Sequence, residues 1–136
     1  MRADIAEATS QTPVVVQRQL ADQCTAALSL LNDHLPAEEK VTHISSAAAR
    51  WMNGTINSIL ALTTKRLLFV APAPQVVSFR LPEIDSTQAT SGSGEVGIFH
   101  LSAGDSKFQL GIAVQYGDAF AEQVCRAVAI ARLADF

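Results

Sequence analysis

The chain has 136 residues, 49% of them apolar, with 13 acids against 10 bases and a formal charge of −3 at pH 7. That length predicts about one domain with a continuous core, and the scattered charges exclude a basic stripe that could neutralise phosphates, and with it nucleic acid as a partner. Two cysteines far apart in sequence, Cys24 and Cys125, exclude a disulfide scaffold and favour a reducing cytoplasm, while no apolar run approaches the roughly 18 residues that span a bilayer.

The lead "MRADIAEATSQ" has too few large apolar side chains to pack, so residues 1–11 are expected to be flexible; it also lacks the apolar stretch of a signal peptide, and the protein reads as soluble and unprocessed. Thr12 can cap a helix whose first position is Pro13, where the missing N–H costs nothing. Val16, Leu20, Cys24, Ala27, Leu31 and Leu35 then recur at the spacing of one helical face, which predicts an amphipathic helix over 12–35, ended by Pro36. Val14, Val15 and Val16 suit strands better than helices, so the first turn is its weak point.

From Lys40 to Ala113 short apolar segments alternate with turn chemistry, the pattern of an antiparallel meander. "VTHISSAAARW" runs into Asn53-Gly54, a strong hairpin signal, and returns as "TINSILALT". Thr64-Lys65 turns the chain into "RLLFVA", Pro72 to Pro74 break that strand, and "QVVSFRL" follows. Pro82 redirects the chain through "PEIDSTQAT". After the polar "SGSGE", "VGIFHLSA", Gly104-Asp105 and "KFQLGIA" form a last hairpin, for about seven strands in all. The tail from about 115 to 134 reverts to helical spacing, with Asp118 as cap and Phe120, Val124, Val128 and Ala131 on one face. Leu67 to Val70 is continuously apolar, so a barrel core must cover one face of that strand and something else the other; the N-terminal helix is the candidate.

Several stretches together resemble the bacterial pleckstrin-homology-like domains related to GRAM domains: "LNDHLPAEEKV" leading into the first strand, Gly54 followed by "LALTTKRLLFV", and Ser78, Phe79, Leu81 and Ile84. The resemblance covers roughly residues 31 to 134 and implies an α+β, mainly β fold, a bent seven-stranded antiparallel barrel capped by the C-terminal helix, here preceded by an N-terminal amphipathic helix. The expected parse is a lead over 1–11, a helix over 12–35 and the barrel with its C-terminal helix over 36–136. An unrelated α+β dimer of the secretion-chaperone kind is the competing fold and would need a helix between Pro82 and Glu95.

Catalytic chemistry is not announced. Gly92, Gly94 and Gly97 fit G-x-G-x-x-G, but a strand follows where a dinucleotide site requires a helix. His34, His43 and His100 have no metal-ligand spacing, so no metal or other cofactor is expected. Glu38 and Glu39 flank a turn and read as solvated charge, and both cysteines read as inert. The reading is a cytoplasmic, non-catalytic module that binds a protein partner, alone or as a homo-oligomer. Peripheral binding to anionic lipid through the first hairpin is the alternative, and a small enzyme with an unrecognised site is a second one. Arg50, Trp51 and Met52 are the candidate contact surface, being residue types enriched at interfaces, against Trp51 sealing the barrel mouth as its structural reading. Lys65 and Arg66 form a second candidate, against a plain polar turn as their structural reading. Val16, Leu20, Ala27 and Leu31 are the candidate oligomerisation stripe, with packing on the chain's own barrel as the favoured reading of that helix.

Overall fold

The computed structural model describes residues 2–49, 55–90 and 96–134. Helices α1 (Ala3–Ser10), α2 (Val14–Gln23) and α3 (Thr25–His34) precede strands β1 (Val41–Ala48), β2 (Ser58–Thr63), β3 (Arg66–Ala71), β4 (Gln75–Arg80), β5 (Ser86–Thr90), β6 (Val96–Ala103) and β7 (Ser106–Ala113), and α4 (Val114–Ala134) follows. The seven strands form an antiparallel sheet in the order β4-β3-β2-β1-β7-β6-β5. Among the described residues β1 and β7 pair only at Ala47–Ile112 and Ala48–Gly111, and the sheet folds about this seam into two packed halves.

Register assigns the two faces. Residues directly opposite on antiparallel strands share a face, so Leu62, Leu67 and Phe79 lie together, as do Phe99 and Leu110. Phe79 meets Phe108 edge-on at 5.1 Å between ring centroids, which makes this the barrel interior. Phe120 of α4 meets Phe99 at 5.9 Å and closes that interior, with Val124 and Val128 buried beside it. On the opposite face, Ile44, Ala61 and Leu68 form one row and Ser46, Ile59 and Val70 the next. Ser46 donates its hydroxyl to Gln19 of α2 (2.6 Å), and α3 packs over β2 and β3. The N-terminal helices therefore supply the second cover that the apolar run Leu67–Val70 demanded, and all four of its side chains are buried.

Several expectations are corrected. Residues 3–10, read as part of a flexible lead, form α1, with Ile5 and Ala8 in the core. The local composition is poor, but long-range polar contacts hold the helix. The Arg2 backbone N–H donates to Asn32 Oδ1 (2.8 Å), and its guanidinium donates to the carbonyls of Leu35, Pro36 and Glu39. Asp4 accepts from the Val41 N–H (2.8 Å), standing in for a strand partner where β7 does not reach β1. The helix expected over 12–35 is two helices, because Cys24 leaves helical geometry at φ −115°, ψ 14°, which lets α2 follow β1 and α3 cross β2 and β3. Thr12 does not cap α2; its hydroxyl donates back to the Thr9 carbonyl. Asp118 does not cap α4, which starts directly from β7 at Val114. Ser86–Thr90 is a strand, which removes the secretion-chaperone alternative.

Gly104 has φ +59° in the β6–β7 turn, as the Gly104-Asp105 signal predicts, and its N–H donates to Asp85 Oδ2.

Candidate interaction surface

Arg50, Trp51 and Met52, with the Asn53-Gly54 turn and the loop Ser91–Glu95, lie outside the described residues. β1 ends at Ala48 and β2 begins at Ser58, so that segment joins the strands at one end of the sheet. The β2–β3 turn bearing Lys65 and Arg66 is at the other end of β2.

That second turn is built around a buried carboxylate. Glu39 is only 3% exposed. It accepts from the Thr63 hydroxyl at 2.6 Å and from Arg66 Nε at 2.9 Å, while the Thr63 oxygen accepts the backbone N–H groups of Lys65 (3.1 Å) and Arg66 (3.0 Å). Arg66 is thus tied to Glu39 through its Nε and is half-buried, whereas Lys65 is exposed and forms no ion pair among the described residues. Sequence reasoning missed Glu39 because its partners come from a turn more than twenty positions away; the T-x-x-R spacing, which lets one threonine oxygen collect two turn N–H groups, was the available signal.

Burial alone would raise the Glu39 pKa, but its hydrogen bonds from Arg66 and Thr63 and the charges of Arg66 and Lys65 outweigh it and hold the carboxyl below its ordinary 4.5. A group depressed in the folded state contributes stability above its unfolded pKa and loses it as pH falls through the folded value. Glu39→Gln is therefore expected to cost about 1–3 kcal/mol at pH 7, with the gap to wild type closing below pH 4.5. Urea titrations at stepped pH check this; a gap that stays constant into acid would contradict it.

Val16, Leu20, Ala27 and Leu31, the candidate oligomerisation stripe, have no exposed surface: they pack into the chain's own core. A second copy could reach them only by unfolding α2 and α3. The large apolar side chains that do face solvent include Val14 on the first turn of α2, and Ile130 and Leu133 one turn apart on α4, at 69% and 72% exposure.

The other reactive side chains stand apart from one another. His100 Nε2 is 3.0 Å from Thr90 Oγ1, and His43 Nδ1 is 3.1 Å from Thr42 Oγ1, with burial lowering the His43 pKa. Burial pushes the Cys24 thiol up to about 12, so it stays protonated. Cys125 is exposed on α4, its sulfur 3.1 Å from the Thr87 hydroxyl. Among the described residues no cluster of His, Cys, Asp and Glu could hold a metal ion, and no helix is long and apolar enough to cross a membrane.

No protein-family model matches the chain, and no curated protein does. Solved structures do match. The Vps36 N-terminal PH domain superposes with a TM-score of 0.56 at 17% identity, covering 70% of this chain and 83% of its own. A DUF1696 family protein with a pleckstrin-homology domain from Shewanella loihica PV-4 gives a TM-score of 0.47 at 11% identity, covering 77% and 89%. Seven antiparallel strands folded about a short seam and closed by a C-terminal helix, together with the Vps36 superposition, make the fold pleckstrin-homology-like.

Proposed function

We propose that the protein is a non-catalytic interaction module whose ligand is another protein. The observation that carries this reading is the outer face of α4, where Ile130 and Leu133 stand in water one turn apart while Val124 and Val128 of the same helix are buried. Paired aliphatic side chains on a rigid helix are the kind of anchor a protein partner covers. The charge distribution argues in the same direction. Among the described residues every arginine except Arg18 is paired with a carboxylate of its own chain: Arg2 with Asp4, Arg66 with Glu39, Arg80 with Glu83, Arg126 with Glu122 and Arg132 with Asp85. Arg18, Lys40, Lys65 and Lys107 remain, on separate elements apart from Lys40 and Lys65, whose neighbourhoods meet where the Thr64 N–H bonds the Lys40 carbonyl. Each cation near an anionic membrane adds about 1 kcal/mol, and stable recruitment takes a cluster of about four or more.

The first hairpin with Arg50, Trp51 and Met52 is the second surface to test. Affinity capture with the wild type is compared with Ile130→Asp/Leu133→Asp and with Trp51→Asp, beside flotation on phosphatidylserine vesicles and sedimentation of the protein alone. A specific protein held by the wild type and lost from a folded variant supports the reading and assigns the surface. If that protein is a second copy of this chain, sedimentation shows it directly. Flotation with the vesicles, without any protein that depends on either surface, overturns the reading in favour of lipid.

A further inference from the structure

Between the three N-terminal helices runs an open groove of about 520 Å3. Its floor is Leu20 and Leu28, both buried, and its walls include Ala6 from α1, Ala21 from α2, and Thr25 and Ser29 from α3, all exposed. None of the residues lining it is ionisable. Two of its polar groups are engaged within the chain: the Thr9 hydroxyl donates to the Ile5 carbonyl (2.9 Å), and the Asn32 amide oxygen accepts the Arg2 N–H, while the Thr25 and Ser29 hydroxyls stand exposed on the wall. The volume lies within the range of small-ligand sites, and a lining of uncharged aliphatic and hydroxyl side chains suits an alkyl chain.

One end of the groove differs. Asn32 also lines a second cavity of about 390 Å3, shared with Arg2, Asp4, Leu35 and Lys40. The two cavities therefore adjoin at Asn32, about 10 Å along α3 from Thr25. At this mouth the charges do not cancel. Asp4 is bound by Arg2 (3.0 Å) and by the Val41 N–H, whereas Lys40 is exposed and forms no ion pair among the described residues. Arg2 and Lys40 against Asp4 leave one net positive charge at the open end of an uncharged apolar channel.

We infer that the groove between α1, α2 and α3 binds a free single-chain carboxylate amphiphile, with the alkyl chain along Ala21, Leu28 and Ser29 and the carboxylate at Lys40. This goes beyond the protein-binding reading and does not depend on it, since the α4 face is not part of the groove.

The probe is dodecanoate, titrated into the full chain by calorimetry below its micelle concentration, beside butyrate and dodecylammonium. Wild type is expected to bind dodecanoate saturably at one site, and both controls roughly tenfold more weakly or worse, since one lacks the apolar chain and the other carries the wrong charge. Ser29→Phe, at an exposed wall position, fills the channel and is expected to weaken dodecanoate by roughly tenfold or more. Thr25→Phe serves as a second filler should the first misfold by circular dichroism. Lys40→Glu should weaken dodecanoate about fivefold and reverse the order of dodecanoate and dodecylammonium. Absence of saturable binding, binding unchanged in a folded filler variant, or indifference to Lys40→Glu would each overturn the assignment.

Discussion

Replacing Ile5 by alanine is expected to lower the unfolding free energy by about 2–5 kcal/mol, although the residue lies in a stretch whose composition reads as a loose tail. Its side chain has no exposed surface. α1 packs on β1, and Asp4 and Arg2 fasten the helix to Val41 and to the Leu35–Glu39 segment on either side of that contact. Truncation would leave a cavity in a region clasped by these polar contacts, which limits its collapse. Domains of this size are stable by only about 5–15 kcal/mol in total, so the midpoint of a urea titration should fall markedly. A loss below about 1 kcal/mol would mean that α1 is detached in solution.

Phe120→Ala is expected to cost about 3–5 kcal/mol. The ring has no exposed surface and is flanked by Phe99, edge-on at 5.9 Å, and by Tyr116, tilted at 6.0 Å. A double-mutant cycle with Phe99→Ala should return a coupling of about 0.5–1.5 kcal/mol. A coupling near zero would show that the two rings share the interior without contributing to each other's stability.

The strands were legible because their signals are local. Thr64-Lys65, Pro72 to Pro74 and Gly104-Asp105 each mark a turn by chemistry confined to a few residues, and the structure places a turn at each. The buried face of α4 was legible for the same reason: Phe120, Val124 and Val128 repeat at helical spacing and all three are buried. What escaped was settled by partners distant in sequence. α1 has one large apolar residue in its core-facing pair and owes its place to Asn32, Leu35 and Val41. Glu39, one of two adjacent glutamates at a turn, is buried only because Thr63 and Arg66 come to meet it. The break at Cys24 carries no glycine or proline to announce it; on its two sides α2 packs on β1 and α3 on β2 and β3. Among the site residues, the stripe Val16, Leu20, Ala27 and Leu31 was correctly seen as apolar, but apolarity alone does not distinguish an intramolecular cover from a contact with another copy. Burial within the chain does.

The seam between β1 and β7 joins an early strand to the last one, and α4, which closes the interior, follows every strand it packs against. A ribosome adding about 5–20 residues per second therefore releases six strands before the seventh can form the seam and before Phe120 exists to fill the space beside Phe99. Until then the apolar rows of β2 and β3 have the N-terminal helices as their one completed cover, and Leu60, Leu62 and Leu67 wait without their full set of neighbours. Protease protection of stalled nascent chains should therefore rise abruptly only once α4 has cleared the exit tunnel.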